Sequence, residues 1–150
     1  MNIFLINEDP RRSAIDFAIL DPIRARKQLL EGVQLLASVE IIRTGSTAMR
    51  KKDGEPYRLA HPHHPLTRRM IVSRAQWSLC YDVVNALSEV FPDHACSRSF
   101  ARWVAISAPY LGANDRLLIV RKGEPPTLVN SRREYAVIMS HYLATKRRRQ

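Results

Sequence analysis

One amphipathic stretch, Leu20 to Leu36, constrains the fold more than any other part of the chain. Asp21 followed by Pro22 suits a helix start, because aspartate caps helix N-termini and proline is tolerated at the first helical position. The pattern predicts a helix from Pro22 or Ile23 to about Val39. Its apolar residues repeat three or four positions apart, which is typical of a buried stripe. They are Ala25, Leu29, Leu30, Val33, Leu36 and Ala37.

The opposite face of this helix holds one carboxylate among cations. At about 100° per residue, its members fall in one sector. They are Arg24, Lys27, Glu31 and Gln34. We expect Glu31 to stay ionised, since nearby cations favour its charged form. One interpretation is a surface helix with i,i+4 ion pairs worth a few tenths of a kcal/mol each. The other is a functional face, which is favoured by Lys27 preceding Glu31, the weaker order for a helix pair.

The overall charge points to a polyanionic partner. The 150 residues include 24 Lys and Arg against 14 Asp and Glu, a formal net charge of +10. A small domain this basic is typical of nucleic-acid-binding proteins, and an anionic membrane surface or an acidic protein are the alternatives.

No apolar run approaches the length of a membrane span. The N-terminus lacks the basic start of a signal peptide, and Cys80 and Cys96 indicate reduced thiols in a cytoplasm.

The remaining pattern predicts a mainly α fold, a compact single-domain helical bundle over residues 1–150 with a short N-terminal extended segment. Trp77 and Trp103 are assigned to the core, and the basic tail 146–150 to a solvated end that adds phosphate attraction. The other predicted elements are a strand or extended run over Met1–Ile6, a helix over Pro10–Ile19 capped by Asp9, a helix over Leu66–Val90 kinked near Ser73, a helix capped by Ser97 or Ser99 and ending at Pro109, a short strand over Leu117–Val120, an extended connector over 124–127, and a last helix capped by Asn130 or Ser131.

Two segments between the helices carry cations or histidines. The loop 43–56 contains Arg50, Lys51 and Lys52, each able to meet a phosphate, although a solvated, mobile loop fits equally well. The segment 57–65 holds three histidines and two prolines within five residues: His61, Pro62, His63, His64 and Pro65. This spacing does not match known zinc motifs, so we expect no metal. A rigid loop that donates hydrogen bonds to a phosphate or a base fits better.

Three motifs resemble a known family. The pattern LDxxRxxKQxxExxQxL from Leu20 resembles a helix of small phage and bacterial proteins grouped with pyrimidine-dimer DNA glycosylases of the phage endonuclease V type. The opening MNIFLINEDP and the later YRLAHPHHPLTRRM are also similar to that group. The resemblance covers roughly the first half of the chain. It implies a compact helical domain that binds double-stranded DNA, needs no cofactor and works in the cytoplasm of a bacterial or phage-infected cell.

The resemblance also implies a chemistry. In that family the N-terminal α-amine attacks C1′ of a damaged nucleotide and a helix glutamate assists, which makes Met1 and Glu31 the expected catalytic residues. We expect Met1 to be retained, since Asn2 is bulky for methionine removal. An α-amine titrates near pH 8, against about 10.4 for a lysine, so a useful fraction is neutral at pH 7. The expected nucleic-acid contacts are Arg24, Lys27, Gln34, Arg50, Lys51, Lys52, His61, His64 and Arg68.

Three functions follow as hypotheses. The first is a DNA glycosylase with abasic-site (AP) lyase activity, and the second is a non-catalytic, phage-type DNA-binding protein of the same fold. The third is a basic adaptor for an acidic protein. Only the first requires a free N-terminus within reach of Glu31. The first two predict DNA affinity that falls steeply with salt.

Overall fold

Within residues 1–104 and 116–148, the part of the chain that the computed structural model describes, helices predominate and a two-stranded sheet is added near the C-terminus. The expected mainly α bundle with an extended N-terminal segment is confirmed. No helix in these ranges is long and apolar enough to cross a bilayer. The elements in order are α1 (Pro10–Leu20), α2 (Pro22–Thr44), α3 (Pro65–Val72), α4 (Arg74–Val90), α5 (Ala95–Val104), β1 (Leu117–Ile119), β2 (Thr127–Val129) and α6 (Arg132–Arg148).

Helices α1 and α2 begin where the sequence predicts. Asp9 and Asp21 cap them, accepting hydrogen bonds from the backbone N–H groups of Arg11 and Arg24, and a proline follows each cap. Helix α2 continues five residues beyond the predicted end at Val39. Glu40 explains this, because its carboxylate accepts from the Ala48 N–H and the Trp103 indole and so keeps this part of the helix packed.

The core forms where α4 packs against α1 and α2. Most of the predicted stripe of α2 is buried in it, as are Trp77 and Trp103, but the prediction for Leu30 is wrong, because this side chain is 40% exposed. Leu30 lies at one edge of the stripe, about 100° around the helix from Leu29. The N-terminal segment covers the opposite edge, at Gln28, which is buried instead. The N-terminal segment therefore covers only one of the two edges of the α2 stripe.

Residues 1–6 are extended and belong to neither strand of the sheet. Ile3, Phe4 and Leu5 are buried. Side chains from two helices satisfy part of this backbone, since the Ser13 hydroxyl accepts from the Ile6 N–H at 2.8 Å and the Ser140 hydroxyl donates to the Ile6 carbonyl at 3.0 Å. Side-chain partners thus replace the neighbouring strand that an extended segment normally pairs with.

Several boundaries in the second half differ from prediction. The helix expected over Leu66–Val90 is two helices, because Ser73 is extended and caps α4. Helix α5 starts at Ala95, so capping by Ser97 or Ser99 is wrong, and His94 Nδ1 accepts from the Cys96 N–H instead. The predicted end at Pro109 lies outside the described residues.

The C-terminal elements follow the prediction more closely. The strand expected over Leu117–Val120 is β1. The connector ends earlier than expected because residues 127–129 form β2, which pairs antiparallel with β1. The Ser131 hydroxyl accepts from the Glu134 N–H at the start of α6, as expected. Cys80 and Cys96 are free and buried, in agreement with reduced core thiols.

Replacing Gly32 with alanine is expected to destabilise the fold, although helix propensity alone favours alanine by about 1 kcal/mol. A β-carbon there would lie 2.4 Å from Val84 Cγ2, across the contact between α2 and α4. Overpacking of this kind costs about 1–3 kcal/mol. We expect Gly32→Ala to lower the free energy of unfolding by about 1 kcal/mol, measured in urea. In a Val84→Ala background the same change should be neutral or stabilising, and an equal loss in both backgrounds would contradict this packing account.

Candidate functional site

Gln28 clamps the N-terminal segment onto α2. Its side-chain carbonyl accepts from the Phe4 N–H, and its NH₂ group donates to the Phe4 carbonyl at 3.3 Å. Gln28 is buried, so water does not compete for these bonds. One side-chain amide therefore satisfies both polar backbone groups of Phe4 and fixes the register of the segment against the helix.

Aromatic packing and a second hydrogen bond hold the same segment. The Phe4 ring lies between Phe17, at a centroid distance of 5.3 Å, and Tyr142, at 6.0 Å. The Tyr135 hydroxyl donates to the Ile3 carbonyl at 2.6 Å from the interior of the protein. Residues from α1, α2 and α6 thus fix Ile3 and Phe4, and the chain end has little freedom to move away from α2.

This arrangement brings Met1 into one cleft with Glu31. The cleft has a volume of about 90 Å³. It is lined by Met1, Asn2, Phe4, Arg24, Lys27, Gln28, Glu31 and Lys146. The residue at the chain terminus and Glu31 thus line the same cleft, and two of the expected DNA contacts, Arg24 and Lys27, line it with them.

The charges in the cleft are unequal. Lys27 Nζ lies 3.7 Å from Glu31 Oε1, while Arg24 pairs with Asp21 at 2.6 Å. The Glu31 side chain is only 20% exposed, whereas that of Lys27 is largely in solvent and can swing away. With the α-amine and Lys146, the cations exceed the carboxylates among the lining groups. The cleft therefore suits an anionic ligand.

Lys146 is the charged residue of the cleft lining that the sequence pattern does not place there. The sequence assigns it to a solvated tail, but its ammonium lies 5.1 Å from the centroid of the Tyr142 ring, one turn earlier on α6, and the residue lines the cleft. The i,i+4 spacing from Tyr142 was the available signal. It does not show that this end of α6 reaches Met1, because that depends on tertiary packing.

His64 lies near enough to the chain terminus for the α-amine to influence its pKa. It caps α3, and its Nδ1 accepts from the Leu66 N–H at 3.1 Å, so the neutral ring carries its proton on Nε2. Burial lowers the pKa of His64, and the positive α-amine of residue 1 and the neighbouring His61 lower it further. The segment 57–65, which contains His64, is anchored to α2 by the Ala60 N–H, which donates to the Ser38 hydroxyl at 2.9 Å.

Three further residues of the predicted site lie on α2, in the histidine-containing segment 57–65 and on α3. Gln34 is half-buried on α2, one turn after Glu31. His61 is exposed and takes a left-handed backbone conformation with φ 51°. Arg68 is exposed on α3, with its guanidinium 3.2 Å from His63 Nδ1. None of these three residues lines the cleft.

The basic loop lies apart from the cleft. Arg50 forms an isolated bridge with Pro56, and the Lys51 N–H donates to the Glu55 carbonyl, which closes a tight turn. Lys51 and Lys52 line a shallow depression with Asp53 instead of the cleft. The structure thus does not bring these three predicted contacts together with Met1 and Glu31.

A wider groove of about 340 Å³ lies between α1 and α6. Its lining is mainly aliphatic, with Asp16 and Arg147 as its charged side chains. It lacks a nucleophile paired with a base, so we place the candidate site in the smaller cleft.

Comparison of the chain with protein-family models, curated proteins and solved structures finds no match.

Replacing Gln28 tests the clamp. Gln28→Leu keeps the side-chain size but leaves the buried N–H and C=O of Phe4 without partners, at about 1–3 kcal/mol each. We expect a clear loss in the free energy of unfolding and faster hydrogen exchange at the Phe4 amide. Gln28→Glu retains an acceptor for the Phe4 N–H and should protect that amide better than leucine does. Equal protection of the amide in all three proteins would contradict the clamp.

The lowered pKa of His64 gives a pH dependence. Because the folded protein disfavours the charged ring, stability is fully present above about pH 6.5, the ordinary histidine value, and is lost as the pH falls below it. We expect NMR titration to place His64 below 6.5. His64→Asn, which can still cap α3, should lose less stability than the native protein between pH 7.5 and 5.5. An equal loss would show that His64 does not contribute.

Proposed function

We propose that this protein is a DNA glycosylase with AP lyase activity, in which the Met1 α-amine is the nucleophile and Glu31 assists proton transfer. The observation that supports it most directly is the clamp at Gln28, which holds the chain terminus in the cleft that contains Glu31. An α-amine is a better nucleophile at neutral pH than a lysine because more of it is uncharged.

The reaction uses groups that lie in the cleft. The neutral amine attacks C1′, and the bond from C1′ to the base breaks, so that the base leaves with the bonding electrons and takes a proton from water. The attached amine loses a proton to Glu31, and Glu31 passes this proton to O4′ as the sugar ring opens to a protonated Schiff base, which leaves Glu31 ionised again. Glu31 then removes a proton from C2′, and the C3′–O3′ bond breaks by β-elimination. Water releases the cleaved product and restores the amine.

The size of the cleft limits which part of the substrate enters. A cleft of about 90 Å³ is too small to enclose a whole base. We therefore expect only the C1′ edge of a deoxyribose to enter it, from a nucleotide extruded from the duplex. Displacement of the exposed Lys27 side chain would widen the entrance and free Glu31. Arg24, Lys27 and Lys146 suit the flanking phosphates.

One observation favours the second candidate, a non-catalytic DNA-binding protein of the same fold. Lys27 already occupies one oxygen of Glu31, as a purely structural ion pair would. The cations that attract DNA are the same in both cases, so only a test of covalent chemistry separates them.

Borohydride trapping on a duplex with one abasic site separates the two functions. We expect the native protein to form a covalent adduct and an N-terminally acetylated form to give none. Glu31→Gln should form it at least about 100-fold more slowly, because general acid–base catalysis contributes about 10²–10⁴-fold. Glu89→Gln is the matched control, since Glu89 pairs with Arg11 away from the cleft, and its rate should be native.

The salt dependence of binding completes this experiment. We expect duplex affinity to fall linearly in a log–log plot against salt concentration. Salt-sensitive binding without an adduct would overturn the lyase proposal and leave a DNA-binding protein. Binding to an acidic protein that competitor DNA does not weaken would leave the third function, the adaptor for an acidic protein.

A further inference from the structure

Ile23 is the most exposed large apolar side chain of the described residues, at 82%. It lies at the corner between α1 and α2, and Ile19, at 75%, lies on the other side of that corner. In the free protein these side chains have little cover. With Leu20, which is 44% exposed at the same corner, they form a group of exposed aliphatic side chains of the kind found at interaction sites.

The neighbours of Ile23 are the cations of the cleft. Arg24 follows it directly and Lys27 lies one turn later, and both line the cleft with Met1. Leu30 lies seven positions after Ile23 and so within about 20° of it around the helix. These two exposed side chains form an apolar strip on α2, separate from its buried stripe, and this strip runs beside the cleft.

The position of Ile23 in α2 favours an outward direction for its side chain. It lies in the first turn, just after Pro22, and helical side chains lean towards the N-terminus, so we expect it to project past the end of the helix. A β-branched side chain has few rotamers to lose on binding. Arg24 is fixed by Asp21 at 2.6 Å, which sets a phosphate contact at a constant distance from Ile23.

We propose that Ile23 enters the base stack of duplex DNA as an apolar wedge and fills the space left by the nucleotide drawn towards Met1. This rests on the proposed function. The flanking cations of the cleft make DNA the occupant that fits by charge, and apolar wedges between base steps are a known way to unstack and kink a duplex.

The test uses 2-aminopurine fluorescence in a duplex that carries a tetrahydrofuran abasic analogue beside the reporter base. At saturating protein, we expect the native chain to raise the fluorescence several-fold as the reporter unstacks. Ile23→Ala should lose more than half of this rise, and Ile23→Met should keep most of it. Val137→Ala is the matched control, because Val137 is 54% exposed on α6 beside Glu8 and Arg133, and its signal should be native.

A second readout isolates the wedge from the chemistry. Ile23→Ala should slow borohydride trapping on an intact duplex and trap at the native rate on a single-stranded abasic substrate, where no stack has to be opened. An unchanged fluorescence rise in Ile23→Ala, or no rise with the native protein bound, would overturn the wedge even if trapping succeeds. An Ile23-dependent rise without any adduct would support the wedge and reject only the lyase.

Discussion

The site depends on the pair of hydrogen bonds between Gln28 and the backbone of Phe4. An extended segment without a neighbouring strand must find partners for its buried N–H and C=O groups elsewhere, and each group left without one costs about 1–3 kcal/mol. Gln28, Tyr135, Ser13 and Ser140 supply these partners. Because these bonds fix the register of residues 3–6, they also fix the position of Met1.

Helix α2 carries both the clamp and the carboxylate. Gln28 and Glu31 are three positions apart, so they project from adjacent sides of one rigid element. Gln28 is buried under the N-terminal segment and Glu31 opens into the cleft. The absence of a side chain at Gly32 allows Val84 on α4 to approach the helix closely. The clamp and the carboxylate thus belong to one rigid helix, and the segment that carries the chain terminus is attached to that same helix, which is an arrangement suited to precise chemistry.

The parts of this structure that were predictable from the sequence are local. Asp9 and Asp21 mark the helix starts, and the 3.6-residue period places Arg24, Lys27 and Glu31 on one face. What failed depends on tertiary contacts: Leu30 is exposed because the N-terminal segment covers the other edge of α2, and Lys146 reaches the cleft because of how α6 packs. Their charge alone did not show that Arg50, Lys51 and Lys52 lie away from the cleft. A run of cations in the sequence does not indicate which side of the folded protein it faces.

Three residues that carry an amine line the cleft, Met1, Lys27 and Lys146, and the proposed nucleophile is the α-amine of Met1. The most direct test is to trap the adduct on abasic DNA with borohydride, digest the protein and locate the modified peptide by mass spectrometry. We predict the modification on the α-amine of Met1, with Lys27 and Lys146 unmodified. A modification on Lys146 or Lys27, or no modified peptide at all, would contradict the central claim.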